Sequence, residues 1–375
     1  MELFASFDFF LDALLASLAL SVLGPLAMRA RISLRYVLAF FSILTSALVF
    51  WDRPLQAVIV LVVQSAALWL CRRGYIATRV AVVLTMLPLL LVKTHALTFL
   101  GMIGLSFVTF RAVDVLLFAH KNETIHPLDY VTYLFFPLTL LAGPMYRWRN
   151  FQADLQKGFG QINMGHWRAG FETTLLGIVQ KFAIAHLIWL YGLNVVSPHD
   201  YSLRGVVLNA VLYSAYLYFD FAGYSNMAAG IGKMFGVNLP SNFNNPILSK
   251  NPQDFWRRWH ISLSEWLRDV VFMPIYKALS KDSFFSQHRF AAQNIGIFAT
   301  LFCMGIWNGL QLHYIVSGMM FGTYSVVHNR LVFAAKQRPA LQQWLSSRPA
   351  QWGGRVLTLA FAMLALYVFS GRSPI

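Results

Sequence analysis

Apolar runs long enough to enter a lipid bilayer recur along nearly the whole chain, at 11–28, 36–50, 56–71, 80–92, 97–118, 129–143, 171–191, 206–219, 291–307, 311–327 and 355–371. Several fall short of the ~20 residues that a straight span needs. Half-membrane or re-entrant helices buried in protein are therefore expected among them. Two polar inserts interrupt the pattern. The first, 144–170, carries Arg147, Arg149, Lys157 and Arg168, and the second, 236–290, is rich in Asn, Pro, Trp and charge. Gly236, Pro240, Pro246 and Pro252 make the second insert loop and short helix rather than one long span. The pattern predicts an all-α, polytopic membrane protein forming one domain over residues 1–375, with interfacial helices in 236–290.

Composition agrees. The 375 residues are 57% hydrophobic and 12% charged, about half the charge of an ordinary soluble domain. Soluble enzymes, secreted modules, disordered chains and nucleic-acid-binding domains are excluded together. The net charge of +15 then points to membrane lipid as a partner, through cytoplasmic Lys/Arg clusters facing anionic headgroups, and not to nucleic acid. Cys71 and Cys303 stand far apart and form no disulfide or metal framework. Glu2, Asp8 and Asp12 occupy positions where a signal peptide would carry basic residues, so the first apolar run is expected to be retained as a span. The first loop holds Arg29, Arg31 and Arg35 and the third holds Arg72, Arg73 and Arg79, whereas the second and fourth hold only Arg53 and Lys93. That asymmetry predicts a multi-pass protein of the cytoplasmic (inner) membrane with an extracytoplasmic N-terminus.

Three stretches carry candidate chemistry. The string PQDFWRRWHISLSEWLRDVVFMP, 252–274, is expected to form a helix after Pro252, with Asp254 in its first turn favouring the helix dipole. On that helix Trp259, Leu263 and Trp266 share one face, and His260, Ser264 and Arg268 share a neighbouring one. His260 is either a proton shuttle or part of an interfacial helix anchored by Trp and Arg. In 216–246, Asp220 stands in an otherwise apolar stretch, where an acid costs about 2.5–3.5 kcal/mol and needs a partner or a purpose. Tyr216 and Tyr224 lie one turn to either side of it. Gly223, Ala228, Ala229, Gly230 and Gly232 permit close helix contact. In 304–322, Asn308, Gln311, His313 and Ser317 are either functional or interhelical hydrogen-bond glue. Arg111 and Asp114, three apart, read as an intramembrane ion pair. Arg147 and Arg149 lie either on a phosphate or in a solvated loop. Neither a phosphate loop, HExxH, CxxC nor a G-x-S-x-G elbow is present.

Taken in order, GLSFVTFR (104–111), FFPLTLLAGPMYR (135–147), YFDFAGYSNMAAGIGKMFG (218–236), DFWRRWHISLSEWLRD (254–269) and GIWNG (305–309) resemble the membrane-bound O-acyltransferase family, MBOAT. HYIVSG (313–318) and VVFMP (270–274) resemble its D-alanyl-transfer, DltB-like branch more than its alginate-acetylating branch. The resemblance implies a ring of about 11 transmembrane helices with re-entrant and interfacial helices around a central tunnel. It implies no bound cofactor. The donor would be an acyl thioester on the phosphopantetheine arm of a D-alanyl-type acyl carrier protein, and the acceptor an extracytoplasmic envelope glycopolymer or lipid-linked hydroxyl. His260 matches the first of two family histidines. The second, in a Trp-His-Gly triplet, is replaced here by Trp307-Asn308-Gly309, and Asn cannot act as a general base. His313, five residues on, stands roughly 140° away on an unbroken helix.

On that resemblance His260 is the base or the acyl-positioning group, Asn308 an oxyanion donor, and His313 a further catalytic candidate. Trp256, Trp259, Ser264, Asp220, Tyr224 and Trp307 are expected along the tunnel, and Arg257, Arg258 and Arg147 on phosphates of carrier, lipid or acceptor. Competing expectations are a non-catalytic scaffold of the same fold, an O-acetyltransferase of an exported polysaccharide, and a small-solute transporter.

Overall fold

A computed structural model describes residues 33–120 and 122–374. The apolar run 11–28, with Arg29 and Arg31, lies outside the described residues. Regular structure among the described residues is helical, apart from one antiparallel bridge between Phe243 and Trp259. Prolines open many of the helices, as in Pro54–Arg72, Pro127–Leu134, Pro252–Trp256 and Pro339–Ser346. An N–H at the first helical position has no partner within the helix, so proline loses nothing there and its fixed φ suits the turn.

Five described helices are long and apolar enough to cross a membrane: Pro54–Arg72, Met164–Leu193, Leu203–Met234, Arg289–Ile306 and Arg348–Phe369. They contain or closely match the runs 56–71, 171–191, 206–219, 291–307 and 355–371. The expected count of about eleven is not reached among the described residues. Leu34–Val49 and Thr78–Lys93 have 16 residues each, about 24 Å at 1.5 Å per residue, against a hydrocarbon core of ~30 Å. The run 97–118 yields only the 14-residue helix Leu105–Phe118, because a 3₁₀ turn at Thr98–Leu100 and a left-handed Gly104 (φ 76°) precede it. The run 129–143 is not a spanning helix. Its helix ends at Leu134 and a 3₁₀ turn begins at Pro137, which supplies no N–H and disfavours helical backbone at Phe136. The run 311–327 lies in the 25-residue helix Leu312–Lys336, whose His, Tyr, Ser, Thr and Asn positions dilute its apolar character.

The described residues form two compact units. The first comprises the chain through Phe182 together with Phe221–Pro240. Its centre is the helix Leu105–Phe118, and here the expected Arg111–Asp114 pair does not form. Arg111, fully buried, donates to the carbonyls of Tyr133 (3.1 Å) and Leu134 (2.8 Å) and to the carbonyl and hydroxyl of Thr139. Those carbonyls are left over where the 127–134 helix breaks, and a guanidinium fork suits them. Asp114 instead takes Arg147 (2.6 Å), the Trp148 backbone N–H (2.8 Å) and the Tyr133 hydroxyl (3.2 Å). Asp154 accepts from Tyr146 (2.6 Å) and from the Asn238 backbone (2.7 Å). Close helix contact arises where the small residues predict it. A Cβ on Gly170 would lie 2.6 Å from the Gly230 carbonyl, and one on Gly177 2.6 Å from that of Gly223.

The second unit comprises Ala183–Asp220 and residues from Ser241 onward. Phe255, Trp259, Leu301, Phe321, Ala362, Ala365 and Leu366 form its apolar core, with Tyr218, Phe243 and Trp256 packed against it. Phe255 stacks on Trp259 at 5.5 Å, and Trp256 meets Phe321 edge-on at 4.8 Å. Helices Arg289–Ile306 and Leu312–Lys336 approach through Gly305 and Gly318, where a Cβ on Gly305 would fall 2.7 Å from the Gly318 Cα.

Candidate active site

The 252–274 segment is not the single helix that its periodicity predicts. A five-residue helix, Pro252–Trp256, is capped by the Asn251 side chain, which accepts from the Asp254 N–H at 2.8 Å. The chain then turns, and a new helix, Ile261–Leu267, begins directly after His260. That helix runs through a π turn at Arg268–Phe272 into Met273–Leu279. His260 itself has φ 45° and ψ 50°, the left-handed region that costs a residue with a Cβ about 1–2 kcal/mol.

The cause of the break lies in the Asn-rich segment 242–245. The Ile261 N–H donates to the Asn242 carbonyl (3.0 Å) and the Asn244 N–H to the Arg258 carbonyl (3.0 Å). Phe243 bridges Trp259 between them. The Ser262 hydroxyl donates to Oδ1 of Asn242. His260 is thus the one residue between two pinned stretches of backbone, and the left-handed turn is what joins them.

His260 is 6% exposed, and its ring meets the Trp307 ring edge-on at 6.4 Å. Burial pushes its pKa down to about 3, so the ring is neutral at physiological pH and able to accept a hydrogen bond from a hydroxyl. Trp307 caps the helix Arg289–Ile306, and the Asn308 N–H reaches back to the Gly305 carbonyl at 3.4 Å. Residues 307–311 are non-helical before Leu312, so the 140° separation reckoned on an unbroken helix does not apply to His313. A Cβ on Gly309 would lie 2.8 Å from the Tyr314 ring, so a larger residue there would displace that ring as well as the Gln311 side chain. His313 packs on the Tyr314 ring (4.1 Å) and against Gly371. His313 thus packs beside Gly371 near the C-terminal end of the chain, whereas His260 packs at the 307 break.

The other expected site residues divide. Ser264 sits one turn into the new helix and donates to the Trp259 carbonyl at 3.4 Å. It does not share a continuous helix face with His260, because the left-handed residue re-aims the chain. Trp259 and Trp256 are core packing elements. Asp220 is half-buried in the second unit, within electrostatic reach of Tyr213 and Tyr216, earlier on its own helix. Tyr224 belongs to the first unit, is buried, and donates to the Leu138 carbonyl at 3.4 Å. Its ring lies where Gly143, at φ 98°, leaves room for it.

Two of the three predicted phosphate contacts have structural work instead. Arg147 holds Asp114, as above, and Arg258 bonds Asp254 (3.2 Å) and the Asn244 carbonyl (3.1 Å). Arg257, with its side chain 73% exposed and 3.8 Å from Asp254, is the one open to an anion. Residue-type reasoning missed Asn242 and Ser262. The signal for the first was present in SNFNNP, since Asn tolerates left-handed backbone and bonds locally.

A polytopic helical membrane protein that seats a buried, neutral histidine against a broken helix has the parts for moving an acyl group onto a hydroxyl. Residues 50–370 match the membrane-bound O-acyltransferase family, and the chain belongs to that family and is an acyltransferase. It is 32% identical over 361 residues to a teichoic acid D-alanyltransferase of Bacillus subtilis, covering 89% of this chain and 90% of the relative. It is 28% identical over 311 residues to a teichoic acid D-alanyltransferase of Streptococcus thermophilus, covering 77% and 74%. Against a protein named probable alginate O-acetylase in Pseudomonas aeruginosa, identity is 30% over 281 residues, covering 72% of this chain and 49% of the relative.

Proposed function

We propose that this acyltransferase moves a D-alanyl group from a carrier-protein thioester to a hydroxyl of an envelope polymer on the opposite side of the membrane. The observation that carries the reading is His260, neutral, buried and rigidly seated. Similarity over nine-tenths of a D-alanyltransferase supports D-alanine as the acyl group. The hydroxyl oxygen attacks the thioester carbonyl carbon, the C–S bond breaks, and the ester forms. His260 accepts the hydroxyl proton as attack proceeds and returns it to the departing thiolate. An imidazolium in so dry a seat is unfavourable, so the proton passes on without a lasting charged state. Asn308 donates its amide N–H to the oxyanion, a role open to Asn although Asn cannot itself shuttle a proton. Arg257 meets the phosphate of the donor's pantetheine arm.

The N-terminus lies outside the cytoplasm in this reading, supported by the Arg72, Arg73 and Arg79 loop together with Arg29, Arg31 and Arg35. Two of these charges have structural partners as well: Arg35 pairs with the buried Asp129 at 2.7 Å, and Arg72 donates to the His120 carbonyl at 2.7 Å. Reaction of a cysteine placed at position 2 with an impermeant reagent in intact cells is the expected result. Protection there, with labelling near Arg31, reverses the orientation.

The activity test is transfer in proteoliposomes from carrier protein charged with radiolabelled D-alanine, with acetyl-charged carrier in parallel. Labelled ester on the polymer, formed ~10²–10⁴-fold more slowly with His260→Ala, is expected. Transfer of acetyl in place of D-alanyl would reassign the acyl group, and undiminished transfer by His260→Ala would remove His260 from the chemistry.

A further inference from the structure

We infer that Asn242, through its hydrogen bond from Ser262, is the positioning residue that holds His260 in its working orientation; this rests on His260 acting in the transfer. Asn242 is 1% exposed, and it is 18 residues from the histidine in sequence. Its backbone carbonyl takes the Ile261 N–H (3.0 Å) and its side chain takes the Ser262 hydroxyl, so one residue fixes both positions that follow His260. The preceding side is fixed by the Phe243–Trp259 bridge and the Asn244–Arg258 bond.

Strain marks the same place. Only three non-glycine residues have positive φ among the described residues, His95, Asn245 and His260, and two of them belong to the paired segments 242–245 and 258–262. A non-glycine residue persists in left-handed backbone where its surroundings over-determine it. Here the backbone bonds of 242–244 with 258–261 set the turn, and the Asn242–Ser262 bond is the side-chain tie that completes it. Because Ser262 is two residues from His260, loss of this bond reaches the imidazole through the Ile261 backbone, and displacement by about 1 Å can cost 10²-fold in rate.

The test uses the full-length protein in proteoliposomes with D-alanyl-charged carrier. Asn242→Ala and Ser262→Ala are each expected to lower kcat by roughly 10- to 100-fold with the KM for carrier changed less than about twofold. Ser262→Thr, which keeps the hydroxyl, is expected to retain most of the rate. The Asn242→Ala/Ser262→Ala double variant should be no slower than the slower single, since both break one bond. In a His260→Ala background, Asn242→Ala should leave the residual rate unchanged.

Several results would overturn the inference. One is a kcat within twofold of wild type in both single variants. Others are additive loss in the double variant, or a further fall in the His260→Ala background, either of which would mark Asn242 as a stability residue. If His260→Ala itself keeps wild-type transfer, the proposed function falls first. If His260→Ala is inactive while Asn242→Ala and Ser262→Ala are unimpaired, the positioning role alone falls. Should Asn242→Ala fail to fold, Ser262→Ala and Ser262→Thr carry the same comparison.

Discussion

Replacing His260 by glycine and by alanine separates the backbone of the site from its chemistry. Both substitutions delete the imidazole beside Trp307 and leave nearly the same cavity. They differ in the backbone at φ 45°, ψ 50°. Alanine keeps a Cβ that this conformation crowds, at about 1–2 kcal/mol, whereas glycine has none. Against that, glycine loses more freedom on folding, by roughly 0.5–1 kcal/mol. The balance leaves His260→Gly more stable than His260→Ala by about 0.5–1 kcal/mol. At an ordinary helix position the order is reversed by a similar amount. Unfolding midpoints in one detergent at one scan rate should read the gap as ~1–3 °C. Transfer should fall ~10²–10⁴-fold in both variants. Added imidazole should restore part of the rate, and more of it in the glycine variant, where the vacated seat is not narrowed by a methyl group. An alanine variant that melts at or above the glycine variant would refute the left-handed residue, and with it the account of how the 242–245 segment seats the histidine.

Three further outcomes follow from the geometry. Arg147→Gln or Asp114→Asn alone should destabilise the first unit by ~3–5 kcal/mol, because each leaves a buried partner uncompensated; the double variant should melt above the sum of the singles, and strict additivity would deny the pair. The His260 ring refuses a proton that an unfolded chain accepts, so wild type should lose stability relative to His260→Gln as pH falls from ~6.5 toward 3, by up to ~1.4 kcal/mol per unit; above ~6.5 the two should run parallel, and a gap opening there instead would show the imidazole to be charged in the folded state. Asn308→Asp should transfer more slowly than Asn308→Ala, since a carboxylate sets negative charge beside the developing oxyanion while losing one such donor costs ~10²–10³ in rate. An alanine variant equal to wild type would remove Asn308 from the reaction.

The parts of this fold that were legible in the sequence share a local cause. Runs such as 56–71 and 291–307 need only unbroken hydrophobicity to become the helices Pro54–Arg72 and Arg289–Ile306, and Gly223 and Gly230 need only to lack side chains to let another helix approach. The misreadings arise where a backbone group finds a distant partner. Arg111 and Asp114 have ideal spacing for a pair along one helix. Carbonyls 22 to 28 residues away claim Arg111 instead, and an arginine 33 residues away claims Asp114. The stranded carbonyls exist because Pro137 stops a helix, so the proline carried the information and the i, i+3 spacing did not.

The same logic explains why the burial of Trp259, Leu263 and Trp266 is legible in the sequence and the setting of His260 is not. Trp259, Leu263 and Trp266 do become buried, and helical spacing accounts for the last two within Ile261–Leu267. Nothing in residues 252–274 alone calls for a break at His260, since Arg-Trp-His-Ile contains no glycine, proline or asparagine. The break is imposed by Asn242, Phe243 and Asn244, which pair with residues 258–261. A helix with two free termini would let the imidazole follow every fluctuation of its own turn. A residue pinned on both sides by another segment cannot, and in exchange it sits in backbone that its side chain does not favour. In the proposed transfer, where His260 holds a hydroxyl against a thioester, that exchange favours placement within a fraction of an ångström over the basicity of a ring whose pKa lies near 3. Basicity is what loss of the second family histidine would impair, so the proposed transfer, working chiefly by placement, is compatible with Asn308 in that position.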